Sequence, residues 1–259
     1  MNTFLRIAVT AAALAAVPGF AAAKDWSTIR IGSDATYPPF ESVDPSGKIV
    51  GFDIDIMDAI CADIKATCTY INQDFDGIIP ALLANKFDVI DSSISITTER
   101  EKTIDFTNKY YNTPAAIAVA KNSGIKGVAK ADLAGKTIGV QSSTTHAAYA
   151  EQTFTDSTVK EYPNLDDAKL DLANGRLDAI NDDVVVLSQW VDSPDGACCT
   201  IAGTIKPVPA IHGIGAGFGI RKEDADLKAL LNKGIADIRA DGTYKKIQDK
   251  YFKFDVYGD

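Results

Sequence analysis

Along this chain the spacing of hydrophobic positions switches repeatedly between a period of two and a period near 3.6. The run Ile29-Arg30-Ile31-Gly32 predicts a strand, which must stop before Pro38-Pro39 because prolines cannot continue a ladder. Ile56, Ile60 and Ile64 then fall on one face of a helix predicted over 54–65, and a second strand is expected over 68–71. A helix over 76–84 and a buried strand over 87–90 follow. A strand over 136–140 should feed a helix beginning near Thr144, and a helix pair over 226–251 should break at Gly242. Strands and helices alternating in this way predict an α/β fold with largely parallel sheets.

One echo suggests two such units. Leu83-Ala84-Asn85-Lys86-Phe87-Asp88-Val89-Ile90 recurs, with one insertion, as Leu172-Ala173-Asn174-Gly175-Arg176-Leu177-Asp178-Ala179-Ile180. Each copy reads as a helix end, an Asn suited to the left-handed stop, and a strand. Each strand runs into polar residues, Asp91-Ser92-Ser93 and Asn181-Asp182-Asp183. In α/β sheets ligands sit at the carboxyl ends of strands, so these clusters, facing each other across a cleft, are the places to look.

Charge and cysteine usage narrow the partners. Residues 1–23 carry one positive charge, Arg6, then an Ala-rich stretch broken by Pro18-Gly19 and closed by Ala21-Ala22-Ala23. This is the pattern of a secretory signal peptide rather than a membrane span. No cysteine near the cut offers a lipid attachment point, so a soluble, unanchored periplasmic protein is expected. A net charge of −9 over 259 residues, with no basic patch, argues against nucleic acid and anionic lipid as partners. Cys61 and Cys68 could close a short loop in an oxidising compartment. A zinc site there lacks ligands, since the chain has two histidines, His146 and His212, both distant in sequence. Adjacent Cys198-Cys199 has Cα atoms about 3.8 Å apart, closer than ordinary disulfides accept.

Enzyme signatures are missing: no G-x-S-x-G elbow, no phosphate loop ending in Gly-Lys-Ser/Thr, no H-E-x-x-H. The glycine run over 213–219 lacks dinucleotide spacing. No metal or cofactor is expected. Binding chemistry is better represented. The segment 92–100 carries Ser92, Ser93, Ser95, two threonines and Arg100 just after a strand, and a guanidinium can grip a carboxylate through two parallel hydrogen bonds. Gln141-Ser142-Ser143-Thr144-Thr145 stands at a strand-to-helix turn, where free N–H groups favour an anion.

With these residues assembled, the chain resembles the periplasmic polar-amino-acid-binding proteins of ABC importers. Gly51-Phe52-Asp53-Ile54-Asp55-Ile56-Met57-Asp58-Ala59-Ile60-Cys61 is similar to that family's signature. Ile31-Gly32-Ser33-Asp34-Ala35-Thr36-Tyr37-Pro38-Pro39-Phe40, Asp74-Phe75-Asp76-Gly77-Ile78-Ile79-Pro80, the segment 92–100, Gly175-Arg176-Leu177-Asp178-Ala179 and the tail from Asp241-Gly242-Thr243-Tyr244 resemble it too. Among its members the lysine/arginine/ornithine- and histidine-binding proteins look most alike, and their cysteine pair falls at Cys61 and Cys68.

The resemblance implies a type II fold of two α/β lobes joined by two hinge strands. Lobe 1 would comprise 24–113 and 213–259, and lobe 2 would comprise 114–212. It further implies that Arg100 clamps the ligand α-carboxylate with Ser95 and Thr145, and that Asp183 takes the α-ammonium with the Ser93 carbonyl. Tyr37 and Phe75 would flank the side chain, and Asp34, near Ser92, would meet its distal charge. Asp182 competes with Asp183 for the ammonium role. Gln141, Thr144 and His146 are further candidates in a stretch that departs from the basic-amino-acid pattern; His146 would be either a neutral acceptor or a hostile cation.

The expected function is capture of a cationic amino acid by a monomer, hinge closure, and delivery to the membrane permease of an ABC importer. An opine or another polar amino acid is an alternative ligand. The rival enzyme reading, a periplasmic dehydratase on the same fold, lacks a general acid that binding does not already use.

Overall fold

A computed structural model describes residues 24–258, so the segment read as a signal peptide, 1–23, lies outside the described residues. Ile29 and Ile31 are fully buried, which fixes Thr28–Ser33 as a central strand. It pairs in parallel with Thr67–Asn72 on one side and Val89–Ile90 on the other. Gly219–Ile220 joins antiparallel to Val89–Ile90, and Asp105–Phe106 closes the sheet antiparallel to Gly219–Ile220. The second sheet runs Thr158–Tyr162, Thr137–Gln141, Ala179–Asp183, Ala115–Ala120, Cys199–Thr204. Its first three strands are parallel, and Ala115–Ala120 is antiparallel to both its neighbours.

The sheets are therefore mixed rather than largely parallel, and the cause is topological. Each antiparallel strand, Ala115–Ala120 and Gly219–Ile220, is the first to follow a crossing between sheets. It enters from the cleft end, opposite to strands fed by a local helix. The crossings lie side by side, with Ala216 bridged to both Ser95 and Tyr111. The result is the type II periplasmic-binding-protein fold: two α/β lobes with a cleft between them.

Local chemistry explains the helix that opens after the glycine of the signature. Gly51 sits at φ 145°, and a Cβ there would fall 2.0 Å from the Phe40 carbonyl oxygen, so only glycine fits. Phe52–Asp63 begins immediately after it, two residues earlier than the isoleucine periodicity predicts. Phe52 packs edge-on against Phe252, with ring centroids 5.0 Å apart, and Phe40 stacks on Tyr111 at 4.5 Å. This aromatic cluster ties the signature helix, the first crossing and the C-terminal tail together. Gly242, at φ 83°, separates Ala225–Ala240 from Thr243–Tyr251, as expected. The strand expected over 87–90 shrinks to Val89–Ile90.

Cys61 pairs with Cys68, with Cα atoms 6.2 Å apart across the helix end and the next strand. Cys198 and Cys199, whose state the sequence left open, also pair, with Cα atoms 3.8 Å apart. Among the described residues, no helix is long and apolar enough to cross a membrane.

Candidate functional site

Strand ends deliver the polar clusters to one place. Asp34 follows Thr28–Ser33, Ser92 and Ser93 follow Val89–Ile90, Gln141 ends its strand, and Asp183 ends Ala179–Asp183. From the first lobe, Asp34, Tyr37, Phe75, Ser92, Ser93, Ser95 and Arg100 line a cavity of about 30 Å³. Gln141, Thr144, Thr145 and His146 line it from the second. Asp183 lines an adjoining chamber of about 300 Å³ that shares Tyr37, Ser93, Ser95, Thr145 and His146 with the first and extends to the crossings. Sequence reasoning missed Glu41, which also lines the smaller cavity. Its one signal was a carboxylate directly after Pro38-Pro39-Phe40, one residue beyond the stretch that resembles the family.

Arg100 rides on the short helix Thr98–Glu101, whose cap Thr97 accepts a hydrogen bond from the Arg100 N–H at 3.2 Å. Its guanidinium donates to the Ser95 carbonyl at 2.9 Å and, across the cleft, to the Ser143 carbonyl at 3.0 Å. It also lies over the Phe75 ring, 5.5 Å from its centroid. Burial alone lowers its pKa to about 10, so it stays charged at neutral pH. Carbonyl dipoles solvate this cation, and no carboxylate among the described residues forms an ion pair with it. Three of its five N–H donors are left for another acceptor.

The acids gather at the other ends. Asp183 caps the helix Val184–Val191, accepting from the Val185 and Val186 N–H groups with one oxygen and from the Thr113 hydroxyl with the other. Asp182 accepts from the Tyr37 hydroxyl and from the Asp183 N–H at 2.7 Å, and its second oxygen is buried without a partner. Burial raises both carboxyls to about 6. Asp34 is raised by burial as well, against hydrogen bonds from Gln141 at 2.8 Å and Thr36 at 2.9 Å. Its N–H is held by the Ser92 hydroxyl at 2.9 Å.

His146 is settled by its surroundings. Burial pushes its pKa down to about 4, Arg100 adds to the shift and Asp183 opposes it. It is therefore neutral near pH 7, and its Nδ1 is buried without a partner.

The two lobes touch across the cleft. Tyr37 donates to Asp182, Gln141 to Asp34, Ser143 to Asp76 and Arg100 to the Ser143 carbonyl. Ser95 and Thr145 face each other with oxygens 3.5 Å apart. With a cation at one end and carboxyls at the other, the cleft offers the opposite charges that a small zwitterion must meet when it is taken out of water.

Fold and cleft together define a two-lobed solute-binding protein. The sequence pattern of the bacterial extracellular solute-binding proteins, family 3, matches residues 29–254. An L-arginine-binding protein of Pseudomonas aeruginosa is 41% identical, with 100% of this chain and 99% of that protein aligned. A histidine-binding periplasmic protein of Salmonella typhimurium is 40% identical, over 100% of this chain and 97% of its own length. A solved ancestral arginine-binding protein bound to arginine superposes with a TM-score of 0.81 at 36% identity, covering 87% of this chain and 98% of the other. The chain belongs to the family 3 bacterial extracellular solute-binding proteins.

Proposed function

We propose that the protein captures a free cationic amino acid, such as arginine, lysine, ornithine or histidine, in the periplasm and delivers it to an ABC importer. The observation that carries this reading is Arg100: a half-buried guanidinium at the cavity that no acid among the described residues neutralises, facing carboxyls at the opposite ends. Arg100 takes the α-carboxylate, with Ser95 and Thr145 completing its shell. Asp183 and the Ser93 carbonyl take the α-ammonium. Tyr37 and Phe75 flank the aliphatic stem, and Asp34, held by Ser92 and Gln141, meets the distal charge. Neutral His146 and the Thr144 turn border the same space.

Lobe 1, 24–113 with 213–259, docks the ligand first, and lobe 2, 114–212, closes on it. Hinge segments at 112–114 and 209–215 absorb the change. The closed form wins because the ligand binds it more tightly. A relative named as a periplasmic binding protein supports the compartment, and one named as an ABC transporter arginine-binding protein supports the partner. The protein acts as a monomer.

A second reading rests on the larger chamber beside Asp183, which would accommodate a substituent on the α-nitrogen, as in an opine. Titration calorimetry with the twenty amino acids, ornithine and an N-carboxyalkyl arginine decides between them. Micromolar or tighter binding of arginine, lysine, ornithine or histidine is expected. Binding confined to neutral amino acids, or to none, overturns the first reading. Recovery of unchanged ligand from denatured protein checks that nothing is turned over.

A further inference from the structure

Directly beneath the cavity lies a buried group of carboxyls that ligand capture, as described so far, leaves unused. Glu41, Asp53 and Asp91 are 1%, 0% and 0% exposed. No lysine or arginine among the described residues pairs with any of them. Ser93 sits on top, at φ 51°, in the left-handed region that a serine enters only at a cost of about 1 kcal/mol or more. What holds it there is Asp53, whose Oδ2 accepts from the Ser93 N–H at 3.0 Å and from the Tyr110 hydroxyl at 2.5 Å.

The hydrogen count is decisive. The Ser93 hydroxyl oxygen lies 3.1 Å from Glu41 Oε2 and 3.1 Å from Asp53 Oδ2. A hydroxyl has one hydrogen, so it can donate to only one of them. Two ionised carboxylates would leave the other contact as lone pair against lone pair. One carboxyl must carry a proton. Asp53 already collects two other donors and is the better anion, so the proton belongs on Glu41, whose carboxyl hydrogen-bonds Asp53 directly as well as meeting Ser93.

We propose that Glu41 is a positioning residue that shares a proton with Asp53 beneath Ser93, holds the Ser93 carbonyl toward the ligand ammonium, and gives up its proton when that ammonium arrives. The release follows from location: Glu41 lines the ligand cavity, whereas Asp53 lies behind it. A fixed positive charge brought to the Ser93 carbonyl favours the ionised form of the nearest uncharged acid. Burial first, and then the neighbouring Asp53 and Asp91 carboxyls, push Glu41 well above the usual carboxylate range, the direction that the hydrogen count also requires.

The other charges that bear on the pair are few. Asp91, Tyr110 and Tyr111 face it from below, with Asp58 and Tyr70 beyond Asp91. Across the cavity stand Asp34, Tyr37, Arg100 and His146, and Asp183 lies beyond Tyr111. Asp182 and Asp183, at about 6, are largely ionised by pH 7.5, so they contribute little proton release there.

The inference rests on the cationic amino-acid reading, and one experiment separates the two. Arginine is titrated into the full mature protein by calorimetry at pH 7.5 in buffers of low and high ionisation enthalpy. Wild type is expected to release a large fraction of one proton per ligand. Glu41→Gln, which keeps shape and hydrogen bonding, should lose that release while binding within about tenfold of wild type. Glu41→Ala, which frees Ser93, should bind at least tenfold more weakly than Glu41→Gln. Heats independent of buffer in wild type overturn the proposal, and so does undiminished release in Glu41→Gln. Since the wild-type measurement stands by itself, a variant that fails to fold does not rescue it. Absence of any amino-acid binding overturns the functional reading instead.

Discussion

Among the described residues two guanidiniums, one fully buried and one half-buried at the cleft, are treated in opposite ways. Arg221 is 1% exposed and fully provided for: it donates to the Leu82 and Phe87 carbonyls and pairs with Asp88 at 3.0 Å and Asp224 at 2.6 Å. Asp88 is shared with Arg30 at 2.8 Å, and these donors outweigh burial to hold its carboxyl below the usual range. Arg100 has carbonyl partners and no acid. A buried cation with its counter-charges built in is finished as structure. One whose counter-charge is left out is matched to something that arrives from outside, and the pair of arginines separates stability from function.

Substituting each arginine is the sharpest way to test that contrast. Arg100→Ala should abolish amino-acid binding, with a loss of about 4 kcal/mol or more, as for truncating one side of a desolvated charge pair. Its melting temperature should hardly move, since it gives up two carbonyl contacts and a contact with the Phe75 ring but no ion pair. Retained micromolar affinity by calorimetry would overturn its assigned role. Arg221→Met should do the reverse. Removing one partner from a buried pair costs about 3–5 kcal/mol, and here it strands Asp88 and Asp224. Urea unfolding should register that loss while the folded fraction binds with unchanged affinity.

The sequence carried more of the site than of the fold around it. The serines over 92–95, Arg100 and Thr145 follow strands and carry binding chemistry in their types, and the family resemblance added Asp34; the structure brings all of them to one cavity. Thr158–Tyr162 escaped because it is a mostly exposed strand without an apolar face. Ala115–Ala120 escaped because an Ala-rich run signals no period, although five of its six residues are buried. Its antiparallel sense was beyond local reading, since it depends on where the chain re-enters the sheet. Glu41 escaped because a carboxylate after a proline turn looks solvated. Only the tertiary packing of Asp53, Asp91 and Tyr110 shows that it is not.

Asp34 marks a smaller difference between the arginines and the acids that answer them. Asp34→Asn keeps the partners Gln141 and Thr36 within reach but removes the charge. Cationic amino acids should then bind more weakly by about 1.5–3 kcal/mol, the worth of a hydrogen bond to a charged group. Any affinity for glutamine should be nearly unchanged. An equal loss for both would mean that Asp34 shapes the cavity without reading charge.

The smallest expected effect is the dependence on pH, and its sign follows from the acids rather than from the arginines. Burial, the largest influence, lifts Asp182 and Asp183 to about 6, against hydrogen bonds from Tyr37 and Thr113 respectively. Between about pH 4 and 6 the folded chain therefore holds protons that the unfolded chain has released. Ionising these groups as pH rises through 6 costs the protein stability by itself, and the ligand ammonium returns it. Affinity should consequently fall by up to about tenfold for each pH unit below 6, for each acid that must ionise. His146, at about 4, is largely neutral from pH 5 upward and adds little slope there. Thermal shift at fixed ligand concentration should show the ligand-induced rise in melting temperature shrinking from pH 7 to pH 5. Asp183→Asn should flatten the profile as well as lower it. Any slope that persists above pH 7 in that variant then belongs to Glu41, and Glu41→Gln should remove it.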